Sequence, residues 1–450
     1  MTRRIGLEQA PGARLSRRAL LGLGAGIAAA PVLSACGGVS TSGAEGGDGA
    51  VTLMSNQFSP VEEKQRFEAI LKARVTAEKV AFNQVETGIL ASTMQTQVDA
   101  GKVQFNLVGA LHGDLAQQKD RMIDLDDLLG ELGDRGFATD TTDLAKLGGS
   151  TTKYIPWMQA GYVLAVNKKA LEWLPSGADV EKLTYDQLLA WATAGRQGNG
   201  NKPIFGFPAG VKGLYHRFFQ GFLLPSFTGG QITTFRSPDA VVAWEYMKQL
   251  WAQTAPASTN YDNLQEPLER GEVLIGFDHV ARLVGAPAAK PGDWLMVPAP
   301  SGPKGLGYML VLAGLGIPEG APDEAKAREV IKALTTPEVQ LDVLRQNSFF
   351  PVTNAAVPGD LPGAVALAEG AVSKQRDAEN AILSLPPVGL GARDGEVAQV
   401  YKNCFKEICL DGKPVQQVLD EQATELNKIL DELKIPCWQP DPAGANCRAA

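Results

Sequence analysis

Histidine is scarce: the chain of 450 residues has three, His112, His216 and His279. Cysteine is hardly more common, at five, and four of those lie near the C-terminus. No apolar run approaches the roughly 20 residues that a membrane-spanning helix needs. GxSxG, HExxH, P-loop and dinucleotide-binding patterns are all missing. Positive charge is the minority sign, with 42 Lys and Arg against 50 Asp and Glu, a formal net of −8. There is no basic stripe. These absences argue against a nucleic-acid partner, against attachment to anionic lipid through a charged face, and against the commonest hydrolase and nucleotide chemistries.

What is present begins at the N-terminus. Arg17-Arg18 precede a Gly/Ala-rich apolar run, Ala19 to Val32, which closes on Leu33-Ser34-Ala35-Cys36. A basic start, a short apolar segment and a small-residue cleavage site make up an export signal, and the twin arginine points to the folded-protein (Tat) route. Leu33-Ser34-Ala35-Cys36 resembles the bacterial lipobox, in which the Cys is acylated and becomes the first mature residue. Residues 1–35 are therefore expected to be a signal peptide and Cys36 a lipidation site. The Gly/Ser tract that follows, 36–49, cannot bury apolar surface and reads as a flexible tether. The chain is expected to work outside the cytoplasm, held at the cell membrane by a lipid.

Beyond Cys36 remain Cys404, Cys409, Cys437 and Cys447, an even number in a chain expected to be exported. Cys404–Cys409 with Cys437–Cys447 is the simplest of three pairings. Zinc is the rival use of these residues, but paired CxxC spacing is lacking.

From Val51 the pattern alternates. Strands are predicted at Val51–Met54, Thr76–Phe82 and Phe105–Ala110, with helices at Pro60–Lys72 and Val85–Ala100 between them. Strands alternating with helices imply parallel βαβ units. A second set opens with Tyr162–Asn167 and a helix capped by Thr184. A helix over Asp239–Trp251 places Trp244, Met247 and Trp251 on one face, the pattern of core. Glu272–Phe277 reads as a strand. Helices follow at Pro322–Leu334, Thr336–Gln346 and Gly395–Leu433, the last interrupted at Asp411-Gly412.

Several segments, taken in order, resemble the extracellular solute-binding proteins of bacterial carbohydrate ABC importers. They are Phe105–Leu128, Tyr154-Ile155-Pro156-Trp157 through Lys168, Leu183–Leu189, Leu268–Ile275, Leu334–Gln340 with Phe349–Val352, and Gly412–Leu419 through Leu430. The resemblance spans about Val51 to Leu433. It implies a two-lobed α/β periplasmic-binding-protein-like fold of type II with ligand held between lobes. Lobe 1 is expected to take 50–157 and 310–348, lobe 2 158–309 and 349–433, leaving a Pro-rich tail at 434–450. It also implies a monomeric binding protein rather than an enzyme, with no cofactor or metal, that passes a carbohydrate-type solute to an importer's transmembrane subunits. The rivals are an exported hydrolase, which needs two carboxylates facing each other across a cleft, and an interaction lipoprotein.

In open α/β sheets ligands bind beyond the carboxyl ends of strands. That rule singles out Asn56 and Gln57 after the first strand, His112 and Asp114 after the third, and Trp157 and Gln159 at the crossover. The Trp157 indole is expected to stack on a sugar face. Tyr215 and His216 lie in a Gly-containing loop, and Asp278, His279 and Arg282 follow the strand ending at Phe277. In sugar-binding relatives this last loop often carries a Trp platform. Its replacement by Asp278-His279-Val280-Ala281-Arg282 points to a charged ligand such as a sugar phosphate or glycerophospho-compound, since an Arg fork fits phosphate oxygens. Gly307 and Tyr308 are expected to border the cleft near a hinge, the glycine admitting close backbone approach.

Overall fold

A computed structural model describes residues 49–59, 61–355, 359–444 and 446–450. The expected signal peptide, Cys36 and all of the tether before Gly49 lie outside the described residues. Two sheets organise the rest. In the first, β1 (Val51–Ser55) runs parallel to β2 (Val80–Gln84) and β3 (Leu107–Leu111). β10 (Val311–Gly316) lies antiparallel to β3 and to β4 (Ile155–Ala160), giving the order β2-β1-β3-β10-β4. Helices α1 (Val61–Arg74) and α2 (Thr87–Asp99) connect the parallel strands, and α3 (His112–Gln117) follows β3 directly. β2 starts later than the predicted Thr76, because α1 runs to Arg74 and Val75 N–H still bonds back to Leu71.

The second sheet has the order β6-β7-β5-β8, built from β5 (Tyr162–Asn167), β6 (Phe205–Gly206), β7 (Ile275–His279) and β8 (Trp294–Val297). Beside it β9 (Leu306–Met309) pairs in parallel with β11 (Ala381–Ser384). The chain passes between the two lobes at Gly161, at Leu310 and in the segment after the helix Pro337–Asn347. The first and third crossings are tied together: Gln159 and Phe350 exchange backbone hydrogen bonds of 3.0 and 2.7 Å, and Gln159 Nε2 donates to Pro351 O at 2.8 Å.

Local signals explain the elements that border the cleft. Thr184 Oγ1 accepts from Gln187 N–H while Gln187 Oε1 accepts from Thr184 N–H, a reciprocal cap opening the helix Tyr185–Gly198. On the helix Pro238–Gln253, Trp244 and Met247 are fully buried, as the one-face pattern requires. They back an aromatic cluster in which Phe218 and Phe222 each meet Phe277 at 4.8 Å between ring centres. Among the described residues no helix is long and apolar enough to cross a membrane.

The C-terminal residues pack against the second lobe. Cys437 and Cys447 form a disulfide, and the buried Asp441 carboxylate accepts from the N–H groups of Gln231, Ile232 and Thr233 at 2.8–2.9 Å. The pairing of Cys404 with Cys409 is corrected: both are free thiols. Cys404 closes the helix Asp394–Phe405 from its buried face. Cys409 sits in the following π-helical turn near Lys248 and Glu245, so one helical run carries the two sulfurs into different surroundings. Alkylation of the unfolded, unreduced protein followed by peptide mapping should label Cys404 and Cys409, with Cys437 and Cys447 labelled only after reduction. Protection of Cys404 before reduction would restore the local pairing.

Candidate functional site

The strand ends of the first lobe present a connected polar cluster. Asn56, just past β1, donates through Nδ2 to Thr87 Oγ1 at 2.9 Å and to Asp114 Oδ2 at 2.7 Å. Gln57 Nε2 donates to Asn56 Oδ1 at 2.6 Å. Thr87 begins α2 and Asp114 lies in the first turn of α3, so both helices direct their N-terminal turns at this point. From the second lobe come Arg217, in the short helix His216–Phe218, and Asp394, which opens the helix Asp394–Phe405. Asp114 and Thr87 on one side and Arg217 and Asp394 on the other enclose a chamber of about 40 Å³, roofed by Pro386 and Pro387.

The charges in this chamber are only partly reconciled. Burial pushes the Asp114 carboxyl up to about 6; Asn56 and Arg217 act against that and Asp394 adds to it. Burial also raises Asp394, with Arg217 the opposing influence. Arg217 Nε is buried without a hydrogen-bond partner, and Nη1 reaches only Met309 Sδ, at 3.8 Å. The lobes touch beside the chamber: Gly389 N–H donates to Gly113 O at 3.1 Å. A Cβ at Gly113 would stand 2.1 Å from Pro387 O, so this approach requires glycine.

A separate groove of about 890 Å³ has Glu63 and Arg66 of α1 facing Asp262, Arg270 and Arg282. Arg282 Nη1 donates weakly to Asp262 O at 3.4 Å. Glu63 is raised by burial, with Arg66 and then Arg282 opposing it. Tyr261 is the aromatic side chain in the lining, its hydroxyl held by Glu272 at 2.7 Å.

The remaining residues predicted for the site are placed elsewhere or spent on the scaffold. Trp157 is fully buried, packed against Phe67 at 5.4 Å and Phe58 at 5.8 Å between ring centres, and offers no face to a ligand. Its position on β4 turns it inward, where parity along the strand decides. Gln159 joins two crossings, as described above. Asp278 is buried and accepts from Leu264 N–H at 3.0 Å and its neighbour His279 N–H at 2.7 Å. His279 Nδ1 accepts from Ala281 N–H at 3.2 Å, and its ring lies edge-on to Tyr162. Tyr215 packs on Phe405, with Lys402 Nζ 5.2 Å above the ring. His216 is buried with Nδ1 unpartnered. Gly307 makes its close approach to the helix Leu224–Thr228, donating to Ser226 Oγ at 2.9 Å, rather than to the cleft. Tyr308 is half-buried in β9, near Asp140 of the other lobe.

The three histidines have separate settings. His112 Nδ1 lies 3.0 Å from Tyr154 Oη. Burial depresses His112 to about 4, His279 to about 3 and His216 well below its ordinary value, so all three are neutral imidazoles near pH 7. Among the described residues no group of three or more His, Cys, Asp or Glu side chains is placed to hold a metal ion. Thr87, Arg217 and Asp394 escaped the reading from strand ends. Arg217 adjoins a singled-out histidine, whereas Asp394 carries no local signal beyond a helix start.

Residues 59–341 match the family profile described as bacterial extracellular solute-binding protein. No curated relative matches the sequence. Among solved structures, the maltose-bound MalE3 of T. maritima is similar at TM-score 0.66 and 21% identity, covering 85% of this chain and 100% of that one. UgpB of Mycobacterium tuberculosis in complex with glycerophosphocholine gives 0.67 and 18%, over 86% and 99%. The GacH receptor of Streptomyces glaucescens gives 0.66 and 16%, over 86% and 99%. At these identities the likeness establishes the two-lobed fold.

A pH test follows from Asp278, which burial lifts to about 6 while Arg282 and the two backbone donors oppose it. Its folded value stands above the unfolded value near 3.9, so the native state binds the extra proton between the two. The group's stabilising contribution is full below about pH 4 and is lost as pH rises through about 6. Asp278→Asn should therefore gain stability relative to wild type, on the order of 2 kcal/mol, between pH 4.5 and 7.5. Urea unfolding at the two pH values checks this; a constant difference would contradict it.

Proposed function

The chain belongs to the bacterial extracellular solute-binding protein family, and we propose that it captures a carbohydrate-type solute in the cleft between its lobes and delivers it to an ABC importer. The observation that carries this reading is the polar chamber, to which both lobes contribute: Asp114 and Thr87 from one, Arg217 and Asp394 from the other. Groups on opposite walls are brought to a common ligand only when the lobes close, which is how binding is converted into a shape that a transporter can recognise. The maltose and glycerophosphocholine complexes of the similar structures support a hydroxyl-rich solute class. The family is one of solute-binding proteins, and this supports capture without chemistry.

The lobe division expected from the sequence belongs to this proposal, with the crossings at Gly161, Leu310 and Phe350 as hinges. So does anchoring. Arg17-Arg18, the short apolar run and Leu33-Ser34-Ala35-Cys36 support export followed by acylation of Cys36. Expressed in a bacterium with a lipoprotein pathway, the wild-type chain should enter the detergent phase of a Triton X-114 partition and Cys36→Ser should move to the aqueous phase. Aqueous wild type would refute the anchor.

The ligand reading is tested by thermal shift with a panel of mono- and oligosaccharides. A ligand at a hundredfold excess over Kd stabilises the folded form by roughly 2.7 kcal/mol. Gly113→Val should leave the unliganded melting temperature within a few degrees of wild type but weaken binding of the stabilising sugar by at least about tenfold, because a branched Cβ holds the lobes apart. Undiminished binding in that variant would contradict closure at this contact.

A further inference from the structure

The chamber has two kinds of polar wall that do not satisfy one another. Asp114 is partly buried and accepts one side-chain hydrogen bond, from Asn56. Asp394 lines the same space, and among the described residues its carboxylate has no ion-pair or side-chain hydrogen-bond partner. Arg217 faces both carboxylates, yet its Nε is unpartnered and no salt bridge within 4 Å joins it to either. Polar groups removed from water without partners are costly, more so when charged. The chamber thus holds acceptors on two sides and a donor fork on a third, with a gap of about 40 Å³ between them.

A hydroxyl fits such a gap because it donates and accepts at once. Donating to Asp394 or Asp114 while accepting from Arg217, a pair of neighbouring hydroxyls would satisfy every wall. A phosphate or carboxylate only accepts. It could meet Arg217, but it would place a negative charge against two partly buried carboxylates and leave them without donors. The cation that suggested an anionic ligand, Arg282, lies at the far groove beside Glu63 and Asp262 rather than in the chamber. That groove also carries Glu62, Glu266 and Glu272 against Arg66, Lys212 and Arg270, so it has no excess of positive charge.

Resting on the carbohydrate reading above, we propose that the chamber formed by Asp114, Asp394 and Arg217 selects an uncharged vicinal diol of a sugar or polyol and rejects phosphorylated and carboxylated solutes. Asp394 is the discriminating residue. It is the carboxylate without an internal partner, so it both requires a donor from the ligand and repels an acceptor.

The test is calorimetric titration of the full chain, in mild detergent, with matched probes: glucose, galactose, maltose and glycerol, each against its phosphate ester, and glycerophosphocholine. The expected result is binding of one or more neutral probes with at least about tenfold preference over the corresponding phosphate. Asp394→Asn should fold, as judged by its melting curve, weaken the neutral probe by about tenfold to a hundredfold, and narrow the preference over the phosphate. Arg217→Leu should weaken both kinds of probe. Tighter binding of any phosphate ester than of its neutral parent in the wild type would overturn the inference while leaving the carbohydrate reading in place. Unchanged affinity in Asp394→Asn would do the same. Absence of binding from every probe at millimolar concentration would overturn both.

Discussion

Desolvated charge without a sufficient partner is the constraint on which the account depends. Asp114, Asp394 and Arg217 are partly drawn out of water where the lobes meet, and the protein itself supplies Asn56 and little more. Burial raises both carboxyls, with Arg217 acting against it at each. A scaffold built only for stability would pair these groups or replace them with apolar ones, because an unpaired buried charge is strongly unfavourable. Keeping them apart across a small space makes sense if an outside molecule completes the set.

The rest of the structure places these groups with little freedom. β1 and β3 end side by side because they pair in parallel, which brings Asn56 to Asp114 from residues far apart in sequence. Arg217 is carried by a short helix whose Phe218 packs on Phe277, beside Phe222. Gly113 lets the two backbones touch at Pro387 and Gly389, setting the width of the chamber. Two of the crossing segments are tied to one another through the Gln159–Phe350 pairing.

Legibility in the sequence followed the range of the physics involved. β5, Tyr162–Asn167, was readable to the residue because an uninterrupted apolar run next to a turn is a local signal, and the Thr184–Gln187 cap is equally local. The parallel-sheet rule drew attention to Asn56 and Asp114 at strand ends, and the fold brings their side chains into hydrogen bond there. β10 was missed. It returns from residue 311 to sit between β3 and β4, and nothing near Val311–Gly316 announces those neighbours. Trp157 was misread because its role turns on which face of β4 it occupies, and one residue of parity decides between core and cleft. Cys404 and Cys409 looked paired from spacing alone, whereas the helical run through them separates their surroundings. Arg217 and Asp394 stand on different helices and meet Asp114 only through the tertiary fold.

The most direct test is a crystal structure of the protein grown with the neutral sugar that stabilises it most. The account predicts one sugar ring between the lobes, two adjacent hydroxyls within hydrogen-bonding distance of Asp394 or Asp114 and of Arg217, and Gly113 still against Pro387. A ligand seated instead in the groove beside Arg282, with the chamber closed and vacant, would contradict it.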